Sequence, residues 1–509
     1  MNKETKKIIK TILFILALPV VITSCKRDFL AIQPQGQLTE TAVAKDPNIA
    51  KKLVTGVYNQ LYQGGFGNDI HGIIYCFATD VASDDANKGS TKDDQAPEGV
   101  GFDSFTTALN SNNFYVNRLW NGHYQGISTA NQALVALDKS TFDHVTKRTL
   151  IGEVKFLRAY LYFNLVRLFG GVPLVLRVPN GVADANDPAF QTRASKDSVY
   201  AAIISDLQYG VDSLPLKGDP GTQVGRATKG AAESLLAKVY LYLKNYQKAY
   251  DLTHDVIVSG KYSLISDYSL NFRNKAFDNN QESVFEIQAG EDANCDAAIP
   301  FYVVAQGPRV GGIGGWADLG FGLNTPTQNL VNAYEAGDKR LASTVIIIRP
   351  DSTVLWDGFV IPARNRVQNS FYNYKAYYGR LVDDFCVSGN TDHLPKNVHI
   401  VRYAEVLLIN AEAAIQVGHA GDAVTDMGLV RSRAGLTATA VTQLSIWKER
   451  RVELAMEQDR FFDIVRQGRA GQILRPLGKA FVDGKNEVFP IPQPQIELSG
   501  GKLTQNPGY

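Results

Sequence analysis

Long segments with a helical pattern of apolar residues are the feature that most constrains the fold of this chain. Residues 113–136 and 147–169 each carry apolar side chains at three- and four-residue spacing, which is the period of an amphipathic α-helix. Gly170 and Pro173 follow the second segment, and glycine just past a helix with proline beyond it is a stop signal. The same pattern recurs over residues 195–214. A mainly α-helical fold is therefore expected.

Two further segments predict pairs of helices joined by tight turns. Residues 227–259 contain two helical patterns that meet at residues 244–246, and small side chains such as Ala231 and Ala237 allow helices to approach closely. Residues 403–434 repeat this organisation. Both units resemble the helical hairpins of tetratricopeptide repeats, in which stacked helix pairs bury a continuous core.

Two regions lack the helical period and are rich in loop-forming residues. Residues 63–113 are dense in Gly, Asp, Ser and Asn, and a loop of this length in a compact domain is usually functional. Residues 263–397 are rich in Gly, Asn and aromatic residues, with β-like runs at 283–288 and 344–350. Because helical units bracket the second region, residues 25–509 are expected to form one domain with two loop-rich inserts and minor β-structure.

The last residues of the chain, 487–509, hold too many prolines for regular structure. We expect this segment to lie as an extended chain against the rest of the protein.

The N-terminus has the organisation of an export signal. Lysines precede an apolar run at residues 12–22, which is too short to span a bilayer as a permanent helix but suits a secretory signal. Small residues then precede Cys25, as in the lipobox of bacterial lipoproteins, where the cysteine is acylated and becomes the mature N-terminus. Residues 1–24 are thus predicted to be a lipoprotein signal peptide, and lipid on Cys25 to anchor the protein. A plain signal peptide with an incidental cysteine is the alternative.

Charge and cysteine usage exclude two classes of function. The 52 Lys and Arg residues against 51 Asp and Glu give a net charge of +1, which offers no electrostatic case for nucleic-acid binding. Cys76, Cys295 and Cys386 show no C-x-x-C and no metal-like spacing with histidine, so no zinc site is expected. They allow one internal disulfide, and three buried thiols are an equal alternative.

No sequence motif indicates catalysis or a bound cofactor. The chain has no G-x-S-x-G, H-E-x-x-H or Walker sequence, and the glycines of residues 311–320 lack the flanking strand and helix of a nucleotide loop. Carboxylates adjoin at 84–85, 93–94 and 383–384. Neighbouring residues of an extended chain point to opposite sides, so these pairs favour solvated loops or calcium ligation over acid–base chemistry. We expect a protein that is not an enzyme.

Aromatic side chains in the second insert are candidate ligand contacts. Trp316 lies in a glycine-rich loop and Trp356 beside an aspartate, and Tyr302 belongs to the same insert. Exposed rings pack flat on the C–H faces of sugars, although a place in a small core beneath long loops is an equal alternative for each ring. Trp120 and Trp447 lie within helical patterns and are expected to be core residues.

The charge-dense stretch 450–468 predicts bracing between helices. On a helical wheel Glu449, Glu453 and Glu457 share one flank, whereas Arg451 falls within an apolar stripe. A charge buried there needs a hydrogen-bonded partner. We expect Arg451 to pair with a carboxylate elsewhere, and the preceding helical unit offers two, Glu405 and Glu412.

Several motifs in order along the chain resemble the SusD/RagB family of surface glycan-binding lipoproteins. They lie at residues 155–175, 228–262, 401–414, 450–468 and 489–509, so the resemblance covers nearly the whole mature chain. It implies a helical fold with four tetratricopeptide-like helix pairs, no cofactor and no catalysis. It also implies an outward-facing outer-membrane location and a SusC-like TonB-dependent transporter as the partner that receives the oligosaccharide.

The resemblance places ligand contacts in the variable loops, here residues 75–105 and 295–320. Starch-binding members carry tryptophans in the first loop, but this chain has none there, which argues against a starch-like helical ligand. The candidate ligand-binding residues are Trp316, Tyr302, Asp85, Asn87, Phe102 and Trp356. The same architecture serving a peptide or another non-sugar nutrient is the alternative function, and a tetratricopeptide-type scaffold for a protein partner is another.

Overall fold

The computed structural model describes Asn2 and residues 46–184, 186–273, 275–290, 298–309, 320–383 and 393–509. Its α-helices, in chain order, are α1 (Pro47–Asn59), α2 (Ile73–Cys76), α3 (Pro97–Ser104), α4 (Phe114–Lys139), α5 (His144–Phe169), α6 (Pro188–Gln191), α7 (Lys196–Ser213), α8 (Lys229–Tyr242), α9 (Tyr246–Val258), α10 (Tyr302–Gln306), α11 (Gln328–Val331), α12 (Leu341–Thr344), α13 (Tyr403–Val417), α14 (Ala420–Arg433), α15 (Gln443–Leu454), α16 (Arg460–Arg466), α17 (Ala470–Leu474) and α18 (Gln493–Leu498).

The ends of the long helices follow from local capping chemistry. The side chain of Asn113 accepts the backbone N–H of Tyr115 at the start of α4, and that of Asp143 accepts the N–H groups of Val145 and Thr146 at the start of α5. Gly170 ends α5 with a φ of +75°, a conformation that costs glycine little. The predicted helices at 113–136, 147–169 and 195–214 are confirmed as α4, α5 and α7.

Long helices pack side by side in a row. The pairs α4/α5, α8/α9 and α13/α14 are joined by short turns, and α7 packs between α5 and α8. Helix α9 packs against α13, so helices from before and after the second insert meet directly. Apolar residues on every side of α5 are buried, because α4, α7 and α1 all contact it. The mainly α-helical fold and the helical hairpins are confirmed, whereas a single domain over 25–509 stays a prediction.

The second insert carries strands as well as irregular chain. They are β2 (Ser283–Ile287), β3 (Leu323–Pro326), β4 (Val345–Ile347), β5 (Ser352–Val354), β6 (Val360–Pro362), β7 (Phe371–Asn373) and β8 (Val398–Arg402), after β1 (Ala86–Gly89) in the first insert. They form two-stranded antiparallel ladders: β1 with β3, β2 with β8, β4 with β7, and β5 with β6. A small separate core lies beneath β4 to β7. The β-like runs at 283–288 and 344–350 are therefore confirmed.

The interpretation of residues 63–113 as loop was wrong for its centre. Helix α2 continues into a π-helical turn (Phe77–Val81), and both are fully buried among the long helices. A segment buried on all sides shows no amphipathic period, so its apolar run gave no helical signal. The flanking glycines and aspartates then dominated the composition.

The charge-dense stretch 450–468 is two helices rather than one. Helix α15 ends at Leu454 and α16 begins at Arg460, and between them Met456 and Gln458 have φ values of +64° and +63°. The helical wheel of the sequence analysis treated this stretch as one continuous helix, so the faces that it assigned to residues beyond Leu454 were wrong. Left-handed residues other than glycine are uncommon and are held by their surroundings, here by the hydrogen bond from the N–H of Gln458 to Asp80.

Buried ion pairs brace α15, as predicted. Glu453 has no exposed surface and accepts hydrogen bonds from Arg402 at 2.9 Å, Arg433 at 2.6 Å and Arg340 at 3.1 Å. Its neighbour on the same flank, Glu449, lies 2.6 Å from Arg340. We call Glu453 and its three arginines the Glu453 network. It ties α15 to β8, to α14 and to the chain before α12.

The expectation that Arg451 pairs with a carboxylate is confirmed, but both named partners were wrong. Arg451 lies 2.7 Å from Asp85 and 3.0 Å from Asp84, in the chain before β1. Glu405 instead contacts Arg450, and Glu412 contacts Arg466. Adjacent positions on a helix point about 100° apart, so Arg450 and not Arg451 faces α13.

The C-terminal segment lies on the helical frame, as expected. The N–H of Phe489 donates to the carbonyl of Leu168, and the Asn506 amide donates to the carbonyls of Phe169 and Phe489. Helix α18 is the one departure from extended chain that we did not predict. Within the described part of the chain, no helix is long and apolar enough to cross a membrane.

Candidate functional site

Five aromatic rings from separate parts of the chain meet at the surface. The ring of Phe66 lies 5.9 Å from Phe301 and 6.4 Å from Tyr115, and Phe301 lies 5.8 Å from Phe321. Phe114 packs edge-on against Tyr115 at 4.7 Å. We call these five residues the aromatic surface.

The rings of the aromatic surface remain accessible to solvent. Phe114 is 45% exposed and Phe66 is 39% exposed, whereas Phe301 and Phe321 are half-buried. Tyr115 lies beneath them, stacked on the buried ring of Phe77. Exposed single apolar residues are ordinary on proteins, but a contiguous group of rings marks a binding site.

Backbone conformations that are rare for most residues hold two of these rings together. Gly65 precedes Phe66 with a φ of +72°, and a Cβ atom there would lie 3.0 Å from the ring of Phe301. Phe301 itself has a φ of +60° at the start of α10. Such a conformation in a bulky residue costs free energy and is concentrated at functional sites.

The backbone around Phe321 is held close to α10 and to the chain that follows it. The N–H of Phe321 donates to the carbonyl of Val304 at 2.8 Å, and that of Gly322 donates to Gly307 at 2.9 Å. Gly320 has a φ of +141°, and a Cβ atom there would lie 2.5 Å from the Val304 carbonyl. Only glycine fits so close to the neighbouring chain, so the position of Phe321 is tightly set.

Polar groups border the aromatic surface on the side of β1. Arg309 donates to the hydroxyl of Ser90, and the Asn369 amide donates to the Ser90 carbonyl at 3.1 Å. Lys88 pairs with Asp94 at 3.1 Å. Hydroxyl, amide and guanidinium groups beside rings are the combination that binds the edges and faces of a polyhydroxylated ligand.

Tyr115 supplies a neutral hydroxyl to this border. Burial, together with the negative charges of Glu98 and Asp94, raises the pKa of Tyr115 to about 12. The hydroxyl therefore keeps its proton at neutral pH and is available as a hydrogen-bond donor.

Three of the candidate site residues that were predicted from the sequence are buried, namely Phe102, Tyr302 and Asp85. Phe102 has no exposed surface and packs edge-on against Phe489 at 5.0 Å. Tyr302 is 7% exposed and lies in the core beneath Phe301. Neither ring offers a face to a ligand in this structure, because both side chains are part of the hydrophobic core.

Asp85 is likewise a structural residue here, contrary to the solvated or calcium-binding role that we expected for the 84–85 pair. Asp85 is fully buried against Arg451, and Asp84 pairs with Arg460 at 2.8 Å. Burial raises the pKa of Asp84, but Arg460 and Arg451 outweigh it and lower that pKa to about 2. Among the described residues, no group of three or more His, Cys, Asp or Glu side chains could hold a metal ion.

The other candidates are dispersed. Asn87 is exposed on β1, opposite Thr325 of β3 and three residues before Ser90. Trp356 is half-buried against the small core of β4 to β7, 6.5 Å from the ring of Tyr377. Trp316 and Cys25 lie outside the described residues. The one described cysteine, Cys76, is buried and free.

Sequence reasoning missed Phe66, Phe114, Phe301 and Phe321. Phe66 and Phe301 were detectable in part, because each lies in irregular chain beside glycine or proline. Phe114 is the first residue of α4, whose apolar face is buried in the core. No local signal shows that rings separated by more than two hundred residues share one surface.

Comparisons with known proteins identify the family. A family model described as "Starch-binding associating with outer membrane" matches residues 28–241, and a second, described as "SusD family", matches residues 281–509. The chain belongs to the SusD/RagB family. The resemblance stated from the sequence is thereby confirmed.

Relatives of known structure share the fold over almost the whole chain. A laminarin-binding SusD-like protein is 28% identical, with a TM-score of 0.76 over 91% of this chain and 99% of its own. Surface glycan-binding protein A from Bacteroides thetaiotaomicron has the same TM-score at 22% identity, over 91% and 99% of the two chains. A SusD-like protein of Formosa agariphila is 28% identical over 82% of this chain and 85% of its own length.

Proposed function

We propose that this protein is a lipid-anchored cell-surface protein that captures an oligosaccharide on its aromatic surface and delivers it to a SusC-like TonB-dependent transporter. The observation that carries the proposal is the group of solvent-accessible rings of Phe66, Phe114, Phe301 and Phe321. Pyranose rings present C–H faces that pack on such rings, and Tyr115, Arg309 and Asn369 provide polar groups at the border.

The chemistry of the surface favours a neutral sugar. All five of its side chains are uncharged, and Lys88 on β1 is already paired with Asp94. The carboxylates of Asp94 and Glu98 near Tyr115 would repel an acidic polysaccharide. The laminarin-binding relative supports a glucose polymer, as does the starch-binding description of the first family model.

We further propose that Trp316 completes the surface. The segment that carries it is bounded by Arg309 and Gly320, next to Phe321, and an indole adds a larger stacking face than any phenyl ring already there. Asn87 is the other sequence-predicted residue that could reach a ligand bound across β1.

Support for anchoring and delivery comes from the family resemblance and not from the described residues. Lipid on Cys25 would hold the protein to the outer membrane, with residues 26–40 as a tether. A carrier must release its cargo, so moderate affinity suits delivery to a transporter. We assign no catalytic step to the protein.

Titration calorimetry with laminarihexaose and maltohexaose tests the proposal. Replacing Phe66 and Phe321 together with alanine should weaken binding at least about tenfold, since about 1.4 kcal/mol is lost when stacking on two rings is removed. Phe277→Ala is the matched control, because Phe277 is also 37% exposed but makes no contact with the aromatic surface. Equal affinity in the double variant and the control would refute the site.

Binding to neither sugar, but to peptides, would identify the alternative cargo. Reducing-sugar release from either polysaccharide by the purified protein would overturn the assignment as a non-catalytic binding protein. Cys25→Ala should move the protein out of the membrane fraction, and retention of that variant in the membrane would contradict the lipid anchor.

A further inference from the structure

A groove that does not include any residue of the aromatic surface lies along α4. It has a volume of about 230 Å³ and lies between α4, the chain that follows α5, and α18. Its lining includes Trp120, Tyr124 and Phe190 together with the amides of Asn121 and Gln495. Trp120 and Tyr124 follow Phe114 by six and ten residues, or by roughly 9 and 15 Å along a helix. We call this cavity the α4 groove.

Fixed aromatic rings form one side of the α4 groove. The rings of Trp120 and Tyr124 lie 5.0 Å apart, and Phe169 packs edge-on against Trp120 at 5.2 Å. The Tyr124 hydroxyl donates to the carbonyl of Pro173 at 2.7 Å, which holds its ring in place. Burial raises the pKa of Tyr124 well above its ordinary value, so this side of the groove carries no charge.

Amide groups also line the groove or lie beside it, and they retain unused donors. The Gln495 amide donates to the Oδ1 atoms of Asn117 and Asn121, at 3.0 Å each. The Nδ2 groups of both asparagines then have no acceptor among the described residues. Hydrogen-bond donors that face open space are available to hydroxyl oxygens of a ligand.

The indole N–H of Trp120 is also unused. Trp120 is only 4% exposed, and no residue of the described chain accepts a hydrogen bond from it. The small exposed part of Trp120 lines the groove. An indole N–H that has no protein partner and is not fully buried can donate to a ligand or to water in the groove.

We propose that the α4 groove is a second binding site for a single neutral sugar residue. No residue that lines the groove is charged at neutral pH, which disfavours charged ligands. Its aromatic rings match the faces of a pyranose, and its amides match the hydroxyl-bearing edges. Its volume is below the roughly 300–1,000 Å³ of pockets that enclose drug-sized molecules, so one sugar unit and not a longer chain fits within it. A glycan held here would be bound independently of the aromatic surface.

The choice of probe rests on the proposed function, but the test separates the two sites. Protein labelled with 5-fluorotryptophan carries a reporter at each of its four tryptophans, and ¹⁹F resonances can be assigned with single Trp→Phe variants. Laminarihexaose and maltohexaose are each titrated to millimolar concentration. The resonance of Trp120 should shift saturably, and Gln495→Ala should weaken that response by about tenfold while leaving the response of Trp316 unchanged.

Gln493→Ala is the matched control, since Gln493 lies on the same helix but does not line the groove. A Trp120 resonance that moves with neither sugar overturns the second site, whatever Trp316 does. If Trp120 alone responds, the α4 groove is supported and the proposed place of Trp316 on the aromatic surface fails. If the Trp120 response were equal in Gln495→Ala and Gln493→Ala, the proposal that the α4 groove binds the sugar through Gln495 would also be overturned.

Discussion

The Glu453 network consists of charged groups that are shielded from water, whereas the aromatic surface consists of apolar rings that are exposed to it. In the network, Glu453 and Arg402 are removed from solvent and neutralise each other within hydrogen-bond distance. On the aromatic surface, apolar rings such as Phe66 and Phe114 stay in contact with solvent. Charge is thus concentrated where no ligand can reach it, and apolar area where one can.

This contrast separates structural from functional residues more reliably than residue type does. A buried charge is tolerated only with partners, so its removal costs stability. An exposed ring contributes little to stability and can gain contacts when a ligand covers it. Substitutions in the two regions should therefore affect different measurements.

The largest expected effect on stability comes from Arg402→Met. Arg402 lies 2.6 Å from Glu282, 2.9 Å from Glu453 and 2.7 Å from Glu457, all in the interior. Loss of one partner from a buried ion pair costs about 3–5 kcal/mol, so the unfolding midpoint in urea should fall sharply. Arg177→Met is the control, because Arg177 is 48% exposed and should change stability by at most about 1 kcal/mol. Similar midpoints for both variants would show that the network does not stabilise the fold.

Replacement by alanine should affect stability at a buried phenylalanine and glycan binding at an exposed one. Phe102→Ala removes a fully buried ring and should cost about 3–5 kcal/mol. Phe66→Ala should change the free energy of unfolding by about 0.5 kcal/mol or less while weakening glycan binding. Thermal unfolding and calorimetry on the two variants check both halves of this prediction. Intact glycan binding in Phe66→Ala would remove Phe66 from the site.

Acid should weaken the charged region and leave the aromatic surface unaffected. Burial raises the pKa of Glu457, but Arg402 and Lys375 outweigh it and lower the pKa from its ordinary 4.5 to about 2. A lowered pKa in the folded state stabilises the protein above pH 4.5, and that contribution, up to about 3 kcal/mol, is lost as pH falls from 4.5 towards 2. Glu457→Gln should show a shallower loss of stability over this range. Identical pH profiles would exclude Glu457 as a source of acid sensitivity.

A modest effect on stability is expected from Gly65→Ala. The φ of +72° at Gly65 should cost alanine about 1–2 kcal/mol, and its Cβ would press on the ring of Phe301. Glycan affinity should fall because that ring must move. Gly67→Ala is the control, since Gly67 does not have a left-handed φ and has room for a Cβ. Unchanged affinity in Gly65→Ala would show that the position of Phe301 is not important for binding.

Local sequence signals were sufficient to predict the helices of the frame, but not the long-range contacts that these helices make. The turn between α8 and α9 was predictable because capping and periodicity are encoded within a few residues. The pairing of Arg451 with Asp85 joins positions 366 residues apart, and no local pattern carries that information. Helix α2 was missed for a related reason, since complete burial removes the amphipathic period.

The candidate site was predictable only as a region. Sequence reasoning placed ligand contacts in the loop-rich inserts, and Phe66, Phe301 and Phe321 lie there, whereas Phe114 and Tyr115 begin α4. It selected Phe102 and Tyr302, which are buried, because ring identity alone does not reveal which side of the chain faces solvent. The exposed faces depend on Gly65 and on the backbone of Phe301, whose conformations follow from tertiary packing.

Hydrogen–deuterium exchange with and without saturating laminarihexaose tests the central claim most directly. The account predicts slower exchange in peptides that cover residues 63–68, 299–309 and 320–323, with no change across α13 to α15. Slower exchange confined to the helical frame, or no protection around Phe66 and Phe301, would contradict the assignment of the aromatic surface as the glycan-binding site.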